Sequence, residues 1–197
     1  MKTALNIIRD EHRSISAVLH GLKELARAAQ DPSVRPELEV FRAMIYYIDQ
    51  FPERMHHPKE DQYLFARLEK RAPQAAALIQ ELRAEHVAGA RLIRDLEQAL
   101  IGFEVGWQGG AAAFRSAVDA YAEFHWKHMR KEEDQLLPLA ERCLTPDDWR
   151  EIDAAFAGNS DPIADLREQD FDKLFTRIVN LAPAPVGVGT SWKKAGA

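Results

Sequence analysis

The chain has 197 residues, 46% of them hydrophobic and 29% charged, with a net charge of −5, a balance that suits one globular domain with a sizeable core. Acidic and basic residues are intermixed, and no Lys/Arg cluster with interleaved aromatics tracks a phosphate backbone, which excludes nucleic acid as a partner. Cys143 is the single cysteine and excludes an internal disulfide, no apolar run approaches a membrane span of roughly twenty residues, and Arg9 arrives too early for a signal peptide, so the expectation is a cytoplasmic protein.

Helical periodicity runs along almost the whole chain, and strand signals are missing. Leu5, Ile8, His12, Ile15, Leu19, Leu22 and Ala26 keep the 3–4 spacing of a helix face turned toward its neighbours. His12 stands inside that stripe in place of an apolar residue. Asp31-Pro32-Ser33 and Pro36 close this first helix. The second carries Leu38, Phe41, Ile45, Ile48, His56, Glu60 and Leu64, with Pro52 and Pro58 predicting a kink near the His-x3-Glu pair. A third follows Pro73 through Ile79, Leu82, His86, Gly89, Ile93, Leu96 and Leu100, again with a histidine in mid-stripe, and ends between Gly102 and Gly110. The fourth runs from about Ala111 to Cys143 through Phe114, Val118, Tyr121, His128, Glu132, Leu136 and Leu139, and Pro138 is expected to bend its last turns.

Beyond it, Thr145-Pro146-Asp147-Asp148 is a helix start with Thr145 as cap, and Gly158-Asn159-Ser160 a stop. Asp165 to Leu181 is a second amphipathic piece, too apolar to stay exposed and too short to fold alone. Ala182 to Ala197, rich in Ala, Pro and Gly, reads as a flexible tail. The expected fold is all-α: an up-down-up-down antiparallel four-helix bundle over residues 1–145, a helical extension over 146–181 packed on the bundle or on a partner subunit, and a tail over 182–197. A homodimer is expected.

In that topology His12, His56, Glu60, His86, His128 and Glu132 can occupy one layer. Residues at i and i+4 are separated by about 40° around a helix axis, so His56 with Glu60, and His128 with Glu132, each present a nitrogen and an oxygen to the same interior point. Each carboxylate can bridge two ions, and imidazole with carboxylate suits iron and manganese better than the thiolate-rich sites of structural zinc. A lone histidine on an apolar face is more often a hydrogen-bonded core residue, and a purely structural polar layer is the alternative. Six ionisable groups buried together nevertheless require something to pair with them. Of the remaining residues, His57 is expected to face a neighbouring helix or solvent, with a role as an alternative or supporting ligand the other reading, and His125, one turn before His128, could line the edge of the site. Helical geometry favours Glu132 over Glu133 as the bridge. Glu11 and Glu85 read as parts of solvated faces, Tyr63 and Tyr121 as packing aromatics, and His20 has no assigned role.

MHHPKEDQYLF (55–65) and HMRKEEDQLLPLAE (128–141), preceded by RDEHRSI (9–15) and RAEHVAG (83–89), resemble the hemerythrin-like, or HHE cation-binding, domain over roughly residues 3 to 145. The resemblance implies a four-helix bundle holding two iron ions with an oxo or hydroxo bridge, ahead of manganese or zinc. It implies His12 and His56 on one iron, His86 and His128 on the other, and Glu60 and Glu132 between them. The oxygen-carrying members place a further histidine where this chain has Ala90, and an aspartate five residues after the helix 4 histidine, where this chain has Glu133. Losing an imidazole suits reaction with dioxygen, nitric oxide or peroxide more than reversible oxygen storage. Three readings follow: a di-iron protein that binds or senses dioxygen or nitric oxide, a di-iron oxidoreductase acting on peroxide or on damaged iron centres, and a metal-free structural or interaction bundle.

Overall fold

The computed structural model describes residues 3–157 and 176–194. Helix α1, Ala4–Ala28, starts at an extended Thr3 whose Oγ1 accepts the Asn6 amide at 3.4 Å, the side-chain cap that an N-terminus with orphan amides needs. Helix α2 spans residues 38–71 and changes its winding along the way. It is α-helical over Leu38–Ile48, π-helical over Asp49–His56, α-helical over His57–Lys59, π-helical over Glu60–Phe65 and α-helical again over Ala66–Arg71. The irregularity expected around Pro52 and Pro58 takes this form. A proline has no amide to give to the ladder, and a π turn absorbs an extra residue while the helix continues.

A 3₁₀ turn at Pro73–Ala75 leads into α3, Ala76–Glu104. Gly106 and Gly109, with φ of 73° and 76°, supply the left-handed conformations that reverse the chain. Helix α4 covers residues 110–143, with a π stretch at Glu132–Leu136 between Gly110–Lys131 and Leu137–Cys143. A Cβ at Gly110 would lie 2.7 Å from the Gly102 carbonyl oxygen, so glycine is what lets α4 begin against the end of α3. In the bundle α1 packs on α2 and α4, and α3 on α2 and α4.

The apolar stripes form two clusters rather than one. Ile15, Leu19, Leu22, Phe41, Ile48, Met55, Ile93, Phe114 and Met129 belong to the first. Ala4, Ile8, Leu64, Phe65, Leu68, Ile79, Leu82 and Leu136 belong to the second. On every one of the four helices the residues singled out by spacing fall where the chain passes from one cluster to the other.

Helix α5, Pro146–Ala157, closes the end of the second cluster with buried Ile152 and Phe156, and its Asp153 Oδ1 accepts the Ala4 amide at 2.7 Å. The amphipathic piece expected at Asp165 to Leu181 falls outside the described residues up to 175; residues 176–181 are helical and bury Ile178. Residues 182–194, flexible by composition, lie along the far end of the bundle. Ala182 is buried, Trp192 packs 5.9 Å from the Phe41 ring, and Val34–Arg35 (β1) pairs antiparallel with Lys193–Lys194 (β2). Val186 and Trp192 give that segment apolar surface to bury. Among the described residues no helix is long and apolar enough to cross a membrane.

Candidate metal centre

The layer between the two clusters contains His12 of α1, His56 and Glu60 of α2, His86 of α3, and His128 and Glu132 of α4, all buried, with both glutamates fully inaccessible. The six expected residues are brought together, in two overlapping groups. His12, His56, Glu60 and Glu132 offer ligand atoms within 4.8 Å of one another, as do Glu60, His86, His128 and Glu132. Both glutamates belong to both groups.

Around the outside of the layer each of these imidazoles meets a carboxylate through Nδ1. His12 Nδ1 lies 2.8 Å from Glu133, His56 Nδ1 2.8 Å from Glu11, His86 Nδ1 3.2 Å from Asp61 and His128 Nδ1 2.9 Å from Glu85. The carboxylates follow a cycle: α1 supplies α2, α2 supplies α3, α3 supplies α4 and α4 supplies α1. A carboxylate at Nδ1 assigns the proton to that nitrogen and leaves the lone pair on Nε2.

The consequence is inside. Nε2 of His12 faces Nε2 of His56 at 3.1 Å, and Nε2 of His86 faces Nε2 of His128 at 3.2 Å. Two lone pairs at that separation repel unless a cation, a proton or a metal, stands between them. The four oxygens of Glu60 and Glu132 are buried with no hydrogen-bond partner among the described residues. They stand among imidazole nitrogens and each other. Glu60 lies 3.4 Å from His56, and Glu132 lies 3.4 Å from His12 and 3.3 Å from His128. Such spacings are poor for hydrogen bonds, yet they approach the roughly 3.0–3.4 Å between ligands that share an ion with bonds of about 2.1 Å. The donor set therefore fits a metal.

The electrostatics agree. Burial, and then the Glu132 carboxylate, push Glu60 well above the usual carboxylate range. Burial would do the same to Glu132, but His128 and His12 hold it well below. Burial opposes a charge on His128, while Glu132 and Glu85 push its imidazolium up to about 9. Glu11 is pushed up to about 7 by burial, against the attraction of Lys59. Without metal, the layer must hold protons to hold itself together.

Several side chains are placed differently from the sequence reading. Glu11 and Glu85 are not parts of solvated faces; each crosses to the imidazole of the next helix, with Asp61 and Glu133 in the same role. The available signal is adjacency, since all four stand one residue from a proposed ligand on their own helix. Glu132 rather than Glu133 points inward, as helical geometry favours. Of the two orientations expected for His57, the one toward the neighbouring helices holds, since His57 is buried, and His125 is buried beside it. Both turn toward Glu53, which also accepts the Tyr121 hydroxyl at 2.8 Å. Tyr63 is exposed, and His20 packs against Trp126 with ring centroids 4.4 Å apart and the planes tilted by 33°.

Comparison with curated proteins gives no match. Comparison with protein-family models matches residues 3–140 to the hemerythrin HHE cation binding domain. That span covers most of the chain and contains all six residues of the inner layer together with the four carboxylates around it. A cation-binding domain is what the facing lone pairs and partnerless glutamates call for, and the chain belongs to the hemerythrin HHE family.

Proposed function

We propose that the protein holds two iron ions, one by His12 and His56 and the other by His86 and His128, with Glu60 and Glu132 shared between them, and that it binds dioxygen or nitric oxide there. The observation that carries this reading is the pairing of facing Nε2 lone pairs with two buried carboxylates that have no other partner. A metal-free structural layer would have to put protons between the facing nitrogens and would still leave the Glu60 and Glu132 oxygens without hydrogen bonds, at a cost of about 1–3 kcal/mol for each unsatisfied group. When bound, the iron pair supplies reversible redox change and coordination positions open to a diatomic ligand.

The chain's own residues prepare the place. The cycle of Nδ1 carboxylates fixes the tautomer and orientation of all four imidazoles before a metal arrives. Ile8, Leu64 and Leu82 on one side, and Ile15, Met55 and Met129 on the other, keep bulk water from the layer. A groove of about 960 Å³ between α1 and α4, with Ala17, Trp126, Met129 and Glu133 in its lining, brings the surface to the outer side of His12. Ala90, one turn beyond His86, puts no imidazole at the position where the oxygen carriers have one.

The test is elemental analysis of untagged protein expressed with iron available, followed by absorption spectra of the reduced protein exposed to dioxygen and to nitric oxide. Two irons per chain and a new band with either gas are expected. An iron content near zero, or spectra that neither gas changes, would overturn the reading.

A further inference from the structure

The geometry points to His57 as a fifth imidazole of this centre, a ligand to the ion held by His86 and His128. This rests on the iron-pair reading above. One ring nitrogen from each of His57, His86 and His128 lies within 4.8 Å of the other two, and all three side chains are buried. The His57 ring centroid stands 4.2 Å from that of His86 and 5.3 Å from that of His128, and the latter two are 4.8 Å apart. These separations bracket the 5.0 Å between His12 and His56, the other pair proposed to share an ion.

Orientation separates His57 from the other buried histidine nearby. The four proposed ligands all turn Nδ1 to a carboxylate and keep Nε2 for the interior. His57 does the same, with Nδ1 3.5 Å from Glu53 Oε2, which leaves Nε2 as its other donor. His125 is reversed. Its Nε2 faces Glu53 Oε1 at 3.3 Å, and its ring centroid is 6.3 Å from that of His128.

The supporting carboxylate is itself built in. Glu53 accepts the Tyr121 hydroxyl, and a Cβ at Gly89 would approach Glu53 Oε1 to 3.0 Å, so α3 is cut back where Glu53 sits. With His57 the two ions become inequivalent, one with two imidazoles and the other with three.

The test is titration of metal-free protein with cobalt(II) under anaerobic conditions, read by the visible absorption of the bound ion. The wild type is expected to bind two ions. His57→Phe fills the same space without a nitrogen, and it is expected to weaken one of the two binding steps by at least about 10-fold and leave the other unchanged. His125→Phe is expected to leave both steps as they are. Circular dichroism of each metal-free variant establishes folding, and His57→Gln, which keeps a polar side chain, takes the place of His57→Phe if the latter does not fold. Two unaltered steps in the His57 variant would overturn the ligand assignment while leaving the iron pair standing. A wild type that takes up fewer than two cobalt ions would instead sink the iron-pair reading, and this assignment with it.

Discussion

At the scale of single residues, Glu60 decides between a metal site and a structural polar layer. Its carboxyl is pushed well above the usual range by burial and by Glu132. A carboxyl raised in the folded state weakens folding wherever the unfolded chain is already ionised. In metal-free protein this cost grows as pH rises above about 4.3, until the folded-state value is reached. Glu60→Gln removes that titration. The chelator-treated variant is expected to be more stable than the wild type at pH 7 by about 1–3 kcal/mol, with the difference shrinking toward pH 4. Urea denaturation at the two pH values measures it, and a variant less stable than the wild type at pH 7 would mark Glu60 as a structural group. The inner residues were legible in the sequence because a histidine in an apolar stripe, or a His-x3-Glu, conflicts with its surroundings. The outer carboxylates were not, since Glu11 and Glu85 have the polar neighbours of any solvated flank, and their partners lie on other helices. His57 was legible only as one of two readings, because ideal α-helical rotation places it about 100° from His56, whereas π winding on either side of residues 57–59 changes where it points.

At the scale of elements, α5 shows how a local signal fixes a helix and ties it to the bundle. The Asp148 amide donates to Thr145 Oγ1 at 3.2 Å, and Asp148 Oδ2 accepts the Thr145 amide at 2.9 Å, a reciprocal cap of the kind that satisfies orphan donors. Arg71 of α2 donates to the same carboxylate at 2.8 Å and, with Thr145, holds it well below the usual range. Thr145→Ala is expected to cost about 1 kcal/mol. Asp148→Asn keeps an oxygen that can accept the Thr145 amide but loses the charge paired with Arg71, so it too should cost stability at pH 7. A depressed carboxylate stabilises fully above its unfolded value of about 3.9 and loses that contribution as pH falls below it. The Asp148→Asn deficit should therefore narrow toward pH 2, and a deficit that stays constant from pH 7 to pH 2 would remove the ion pair from the account. This cap was legible in Thr145-Pro146-Asp147-Asp148 alone. The π stretches were legible only as irregularity, because proline marks a break in the ladder without saying how the helix absorbs it. The contacts of residues 182–194 were hidden by composition, since two large apolar residues in a segment rich in Ala, Pro and Gly are enough to attach it.

At the scale of the whole molecule, the polar layer separates two apolar clusters, and each of the four bundle helices passes through it. Two metal ions bound there would together join all four helices, so their binding free energy would become folding free energy. Metal at 100 times its dissociation constant is expected to add about 2.7 kcal/mol. For a chain of this size that corresponds to a rise in Tm of roughly 5–11 °C, from about 2–4 °C per kcal/mol. The sign of its pH dependence follows from His128, whose imidazolium is pushed up to about 9 in the metal-free layer. Below that value an incoming ion must displace a proton, and a ligand that competes with protons binds more tightly as pH rises. At fixed total metal, the increment in Tm should therefore grow from pH 6 to pH 8. Calorimetry with iron(II) under anaerobic conditions, or with cobalt(II), against samples treated with a chelator gives the increment at each pH. An increment that is absent, or that shrinks as pH rises, would mean that the layer stabilises the bundle through its own ion pairs. The two clusters would then be held together by protons alone, and the facing nitrogens of His12 with His56, and of His86 with His128, would each share one.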